Sequence, residues 1–186
     1  IGGLAQKVSA VHQHGVDVFL VPASQAELDD PAELERLDEA GRGEVEVIPV
    51  ATLDEALEVL EELGEIVTRL ENDPPTGLVM MSGKKGSFIV GADVREFDDA
   101  NSISEAEGFI RDVHALFDRV EALPFPKVVT IDGYCLGGGL ELALCFDYRI
   151  AANNDRTRLG FPEVKLGIHP GWGGSARMVP LIGGIK

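Results

Sequence analysis

Apolar and polar positions follow two periods along this chain. Short continuous apolar runs predict buried strands, and longer segments with an apolar side chain every three or four residues predict helices. The predicted strands are 16–21, 45–50, 78–81, 88–90, 128–131 and 148–152. The predicted helices are 4–14, 52–71, 104–123, 140–145 and 174–179, and the remainder after 152 is predicted to be a Gly/Pro-rich loop. Strands that alternate with helices favour an α/β fold with parallel pairing.

The composition is that of a folded protein and sets few limits on function. The chain has 186 residues, 45% apolar and 26% charged, which excludes disorder by composition. No apolar run approaches the roughly 18–20 residues that cross a bilayer. A formal charge of −16 argues against nucleic acid or an anionic membrane as partner. It does not exclude a small anionic ligand held by local backbone donors.

The charge is unevenly distributed. Residues 1–72 carry 17 acidic and 4 basic side chains, whereas residues 73–186 carry 15 and 12. Glycine is distributed in the opposite way, with 6 in the first segment and 16 in the second. An asymmetry of this kind indicates two origins or two roles within one chain.

The cysteines and the N-terminus indicate the compartment. Cys135 and Cys145 stand in apolar surroundings and are predicted to be buried, reduced thiols. The chain begins with Ile-Gly-Gly and shows no signal-peptide pattern, so we expect a fragment of a cytoplasmic protein.

Residues 132–163 hold the most informative chemistry. Gly137, Gly138 and Gly139 stand where a buried strand turns into a helix, and the first N–H groups of that helix would suit a developing oxyanion. Glu141, one turn further, is a carboxylate among apolar neighbours. The alternatives are tight helix–strand packing for the glycines and a buried ion pair with Arg149 for Glu141.

Two further positions are predicted to face the same site. Glu163 follows a proline in a loop, and two converging carboxylates can hold a water and move its protons. Ala92 stands at a strand end, where its N–H would be a second oxyanion donor beside that of Gly138. The alternative at Ala92 is a simple turn closed by Asp93.

Four sequence blocks make residues from about 60 to 186 resemble the crotonase (enoyl-CoA hydratase/isomerase) superfamily. The most similar branch is the hydratase domain of the multifunctional α-subunits of fatty-acid β-oxidation. The blocks are 88–93 (Phe-Ile-Val-Gly-Ala-Asp), 137–141 (Gly-Gly-Gly-Leu-Glu), 160–163 (Gly-Phe-Pro-Glu) and 170–177 (Pro-Gly-Trp-Gly-Gly-Ser-Ala-Arg), the last ahead of 181–183 (Leu-Ile-Gly).

The resemblance implies a crotonase-like β/α spiral and hydration of 2-trans-enoyl-CoA to 3-hydroxyacyl-CoA, because both family glutamates are present. Glu141 and Glu163 would be catalytic, and the N–H groups of Ala92 and Gly138 would form the oxyanion hole. No cofactor is implied, since coenzyme A is part of the substrate, and no metal site. A homo-oligomer or a β-oxidation complex is implied for the full-length form. The implied substrate-binding residues are Val90, Gly91, Asp93, Tyr134, Gly137, Pro162 and Trp172.

The match departs from the family pattern at both ends. Family members begin with a strand pair before the helix at 53–71 and continue beyond residue 186. A dehydrogenase half is not predicted either, because the chain has no Gly-x-Gly-x-x-Gly.

The N-terminal segment resembles a different family, because it is similar to the C-terminal end of a Lon-type protease domain. The similar stretches are 1–8, 10–22 and 45–57. That family uses a Ser–Lys dyad, and Lys7 matches its lysine. The serine block of the form Gly-Pro-Ser-Ala-Gly is missing from this chain, so Lys7 is predicted to be a relic. The predicted domains are therefore 1–60, Lon-like, and 61–186, crotonase-like.

The predicted helix 52–71 is shared between the two resemblances. Its apolar stripe continues without a break in period, which indicates a fused chain. The Lon-derived strands would then occupy the place of the missing crotonase strands and contact the core formed by 78–152.

Two other readings of function remain open at this stage. The chain could be a folded module without catalysis, or an incomplete Ser–Lys peptidase fragment. The histidines offer no better candidate. His12 and His14 face different ways on their predicted helix, His114 falls beside an apolar stripe and is predicted to be structural, and His169 is predicted to shape a loop.

Overall fold

The computed structural model describes residues 18–23, 46–51, 56–81, 87–90 and 103–183. Eight strands and four α-helices lie in these ranges, with one 3-10 helix. The strands are β1 Val18–Ala23, β2 Glu46–Ala51, β3 Leu78–Met81, β4 Ser87–Ile89, β5 Lys127–Ile131, β6 Tyr134–Leu136, β7 Tyr148–Ala151 and β8 Arg158–Gly160. The helices are α1 Ala56–Asn72, α2 Ile103–Ala122, α3 Gly138–Ala143, the 3-10 helix Pro162–Leu166 and α4 Gly174–Ile182.

The strands form two sheets, and every pair in both is parallel. The larger sheet has the order β2-β1-β3-β5-β7, and the smaller has the order β4-β6-β8. The predicted α/β class with parallel pairing is thereby confirmed. Since β5 of the large sheet and β6 of the small one are separated only by Asp132 and Gly133, the chain passes directly from one sheet to the other. Gly133 makes this step with a φ of 100°, which favours glycine.

The two N-terminal strands belong to the large sheet. β1 pairs with β3 in the register Val18 to Leu78 and Leu20 to Met80, and β2 pairs with the other side of β1. The predicted contact between the N-terminal segment and the 78–152 core is therefore present. The Lon-like resemblance itself stays a prediction, as does the domain boundary at residue 60. The predicted helix 4–14 and the predicted helix start at Thr52 lie outside the described residues.

The long helices α1 and α2 pack their apolar stripes into the core. Val67 and Leu70 of α1, and Val113 and Phe117 of α2, are almost completely buried. Burial of side chains of this size stabilises a fold by about 1.5–3 kcal/mol each. At the surface between the helices, Arg119 donates to both carboxylate oxygens of Glu71 at 3.0 and 2.7 Å.

The second sheet was not predicted, and the predicted loop after residue 152 is wrong in part. That stretch contains β8 and the 3-10 helix, which were not predicted, whereas the helix predicted at 174–179 is present as α4. β6 and β8 have three residues each, which is too short to show an alternating pattern. None of the described helices is long and apolar enough to cross a membrane.

Candidate active site

The start of α3 is built on glycines that have no room for a side chain. Gly137 has a φ of 54°, which disfavours other residues. A Cβ on Gly138 would collide with the Trp172 ring, and one on Gly139 would collide with the backbone of Ile89 in β4. Tight packing, the alternative explanation of these glycines, therefore accounts for Gly138 and Gly139. It brings Trp172 and β4 directly against the first turn of α3.

Glu141 lies in that first turn and is only 2% exposed. Its Oε1 accepts two backbone hydrogen bonds, from the N–H of Trp172 and the N–H of Gly174, both at 2.8 Å. The predicted alternative, an ion pair with Arg149, is wrong. The Arg149 guanidinium instead donates to the carbonyls of Ala143, the last residue of α3, and of Phe146, three residues beyond it.

Several opposing effects act on the pKa of Glu141, and together they raise it. Burial is the largest and raises the pKa, since it disfavours the charged carboxylate. The N–H groups of Gly174 and Trp172 lower the pKa by stabilising the anion. The neighbouring charge of Glu163 raises the pKa, and that of His114 lowers it. Glu141 therefore holds a proton more readily than an ordinary glutamate does.

Glu163 reaches the same region from the 3-10 helix, whose first residue is Pro162. A Cβ built on Gly137 would lie 3.0 Å from Glu163 Oε1, so the carboxyl stands directly over the backbone that begins α3. The other oxygen, Oε2, is buried and has no hydrogen-bond partner among the described residues. A buried polar atom without a partner costs about 1–3 kcal/mol, which indicates a position prepared for a polar group of a ligand.

Trp172 fills the space between α3 and α2. Its ring makes edge-to-face contacts with Phe109 and Phe117, with centroid distances of 6.2 and 6.0 Å. The indole thus forms one wall beside Gly138, while the backbone N–H of the same residue binds Glu141.

Gly174 is a site residue that the sequence analysis missed. A Cβ there would stand 2.6 Å from Glu141 Cγ and 2.7 Å from Phe161 Cζ. The signal was available in the glycine-rich run 171–174, but a sequence does not show which carboxylate such a loop binds.

The structure brings Gly137, Gly138, Glu141, Glu163 and Trp172 together. Of the other predicted site residues, Tyr134 is half exposed on β6 and Pro162 begins the 3-10 helix that carries Glu163. Val90 follows β4 and is exposed. Their roles stay predictions, and the remaining predicted residues lie outside the described part of the chain: Lys7, Gly91, Ala92 and Asp93.

The two cysteines do not contribute a nucleophile. Cys135 and Cys145 are free and buried, as predicted. Burial raises the pKa of each thiol to about 12, so the reactive thiolate is scarce near neutral pH.

Comparison with protein families finds a match that covers most of the chain. The family model described as enoyl-CoA hydratase/isomerase matches residues 51–186. A protein named fatty acid oxidation complex subunit alpha, from Idiomarina loihiensis, is 48% identical over 124 residues, or 66% of this chain. A protein of the same name from Aliivibrio fischeri is 43% identical over 136 residues, or 73% of this chain. This chain spans only 18% and 19% of the length of those two relatives.

Solved structures of enoyl-CoA hydratases are also similar to this chain. An enoyl-CoA hydratase from Bacillus anthracis has a TM-score of 0.62 and 35% identity over 69% of this chain and 49% of its own. An enoyl-CoA hydratase from Thermoplasma volcanium has a TM-score of 0.61 and 30% identity over 68% of this chain and 50% of its own. Those two proteins are thus about twice as long as the region that this chain shares with them.

Proposed function

The chain belongs to the enoyl-CoA hydratase/isomerase family, and on that premise we propose that its site hydrates 2-trans-enoyl-CoA to 3-hydroxyacyl-CoA. Relatives named as α-subunits of the fatty acid oxidation complex support β-oxidation as the setting. The substrate is an acyl-CoA thioester, and coenzyme A enters as part of it rather than as a cofactor.

One observation carries the proposal: two glutamates stand at the beginning of the same short helix. Glu141 lies in the first turn of α3, and the carboxyl of Glu163 lies against Gly137, the residue before that helix. They are close enough for the charge of Glu163 to raise the pKa of Glu141. Hydration needs one group that takes a proton and one that gives a proton, and a pair of neighbouring carboxyls can do both.

The proposed reaction balances with these two groups alone. The water oxygen bonds to C3 of the enoyl chain while one carboxylate takes its proton, and the electrons of the C2–C3 double bond move toward the thioester oxygen. The enolate-like species then takes a proton at C2 from the other carboxyl. The proton gained by the first carboxyl then returns to the second, directly or through solvent, which restores the starting state. We assign a syn addition, in which the hydroxyl and the proton reach the same face of the double bond, since both carboxyls lie at the beginning of α3.

The thioester oxygen becomes negative during this step and needs hydrogen-bond donors. We assign the N–H of Gly138 and the N–H of Ala92 to this role. Gly138 begins α3, and the first N–H groups of a helix have no partner within it. Loss of one such donor typically costs about 3–4 kcal/mol of transition-state stabilisation.

The test is hydration of crotonyl-CoA, followed by loss of the enoyl thioester absorbance. Glu141→Gln and Glu163→Gln should each lower kcat/KM by about a hundredfold or more, because an amide cannot exchange a proton as a carboxyl does. The matched control is Glu65→Gln, since Glu65 is an exposed glutamate of α1, and its activity should equal that of the wild type.

Full activity in both active-site variants would contradict the proposal. A wild-type protein that melts cooperatively but does not hydrate crotonyl-CoA would favour the alternative of a folded module without catalysis.

A further inference from the structure

The loop that binds Glu141 is itself held by side chains from two helices. His114 of α2 lies 57 residues earlier in the chain, and its Nε2 is 2.6 Å from the carbonyl oxygen of Gly171. A carbonyl oxygen can only accept, so Nε2 carries the proton and donates. This contact connects α2 with the first residue of the 171–174 loop.

Gly171 and Trp172 share the peptide group that transmits this contact. The oxygen of that group accepts from His114, and its N–H, which belongs to Trp172, donates to Glu141. In a planar trans peptide the C=O and N–H bonds point in opposite directions, and the described residues contain no cis peptide bond. The peptide is therefore fixed at both ends, between the imidazole and the carboxylate. Hydrogen bonds in such a chain polarise and strengthen one another.

Arg177 of α4 holds the next peptide group. Its Nη1 donates to the carbonyl of Trp172 at 3.2 Å. The other guanidinium nitrogens bind α2, with Nη2 at 2.5 Å from Asp118 and Nε at 2.8 Å from Glu121. Only 12% of the Arg177 side chain is exposed. His114, Asp118 and Glu121 follow one another at helical spacing, so they act from one face of α2.

We infer that His114 and Arg177 are positioning residues for Glu141. His114 fixes the peptide group whose N–H, that of Trp172, donates to Glu141. Arg177 fixes the following peptide group, which lies between the two donors of Trp172 and Gly174 and so sets their spacing. This inference rests on the proposed role of Glu141 in hydration. Neither side chain is required to touch the substrate.

The first test uses His114, because its exposed side chain can be changed with little risk to folding. His114→Leu removes the donor, whereas His114→Gln places an amide N–H near the position of Nε2 and should restore it. We expect His114→Leu to lower kcat by about tenfold while KM changes by less than about twofold, since misorientation of a catalytic group affects the transition state most. His114→Gln should stay within about threefold of the wild type.

The second test compares two arginines that link helices. Arg177→Leu should lower kcat as His114→Leu does. Arg119→Leu is the matched control, because Arg119 also joins a glutamate on a neighbouring helix, and its hydrogen bonds within the described residues go to Glu71 and Thr68 of α1 rather than to the 171–174 loop. If Arg177→Leu does not fold, the comparison of His114→Leu with His114→Gln tests the inference. Equal kcat in His114→Leu and His114→Gln would overturn the inference while leaving the proposed hydration intact.

A third measurement does not depend on activity. Hydrogen exchange of the Trp172 and Gly174 amides, read by NMR, should be faster in His114→Leu and Arg177→Leu than in Arg119→Leu or the wild type. If the wild type does not hydrate enoyl-CoA, the proposed function is wrong. The exchange rates of the two amides then remain as the test of the positioning role. Unchanged exchange of those two amides would overturn it.

Discussion

Glu141 Oε1 accepts the backbone N–H of Gly174, 33 residues further along the chain, at 2.8 Å. The contact requires the loop and the helix to approach so closely that Gly174 has no room for a Cβ. The absence of a side chain at position 174 thereby controls where the Glu141 carboxylate lies.

The first prediction follows from that lack of room. Gly174→Ala would put a methyl group 2.6 Å from Glu141 Cγ, so the loop or the carboxylate must move. We expect a loss of about 1–3 kcal/mol in the free energy of unfolding, as for overpacked cores, together with a large fall in kcat. Thermal or urea unfolding and the crotonyl-CoA assay measure the two effects.

Gly64→Ala is the matched control for that substitution. Gly64 lies inside α1 with open space at its Cβ position, so alanine should raise stability by about 0.5–1 kcal/mol through helix propensity. Similar losses of stability in both variants would mean that contact with Glu141 is not the cause.

The second prediction concerns Gly137, the residue under the Glu163 carboxyl. Alanine there would adopt a left-handed φ of 54° and stand 3.0 Å from Glu163 Oε1. The backbone strain costs about 1 kcal/mol or more, and the contact pushes the carboxyl away from α3. We expect Gly137→Ala to lower kcat/KM for crotonyl-CoA. An unchanged kcat/KM would show that the position of Glu163 tolerates such a shift.

The sequence predicted the elements that have long hydrophobic patterns and missed those that have short ones. The helices α1 and α2 have long apolar stripes and were predicted to within a few residues where they are described. β6 and β8 were missed, although β4, which has the same length, was predicted from the apolar run 88–90. Three residues carry too short a pattern to distinguish a strand from a loop. Glu141 stood out as a carboxylate among apolar neighbours, and the alternative to a catalytic role, an ion pair with Arg149, was wrong. The true partners, Trp172 and Gly174, lie 31 and 33 residues away, and no local rule predicts a contact at that separation.

The role of His114 illustrates the same limit. Its sequence position beside an apolar stripe predicted a structural residue, and it does bind a backbone carbonyl. That this carbonyl belongs to the peptide group that donates to Glu141 is a consequence of tertiary structure alone.

The third prediction concerns the thiols. Because Cys135 and Cys145 are buried and their pKa values are raised to about 12, neither should react with a thiol reagent in the folded protein at pH 8. Both should react after unfolding in urea. The measurement is a thiol count before and after denaturation, and fast reaction of either cysteine in the native state would contradict its burial.

The fourth prediction is that Glu141 lowers stability at neutral pH. Its pKa is raised in the folded state, mainly by burial, so folding favours the protonated carboxyl. The stability associated with that proton is fully present below the ordinary pKa of about 4.3. It is lost as the pH rises through the raised pKa of the folded state.

Glu141→Gln should therefore be more stable than the wild type at pH 7, because the amide oxygen can still accept from Trp172 and Gly174 without carrying a charge. The gain should shrink as the pH falls from the raised pKa of the folded state toward about 4.3, and it should change no further below that, where the wild-type carboxyl is protonated in both states. Glu71→Gln is the control, and its change in stability at pH 7 should have the opposite sign, because the hydrogen bond from Arg119 lowers the pKa of Glu71 in the folded state. The measurement is the stability of the wild type, Glu141→Gln and Glu71→Gln by thermal unfolding from pH 3 to pH 8. A stability difference between Glu141→Gln and the wild type that does not vary with pH would show that the charge of Glu141 is not its cause. The expected result would mean that the protein loses stability at a position where the proposed hydration needs a carboxylate.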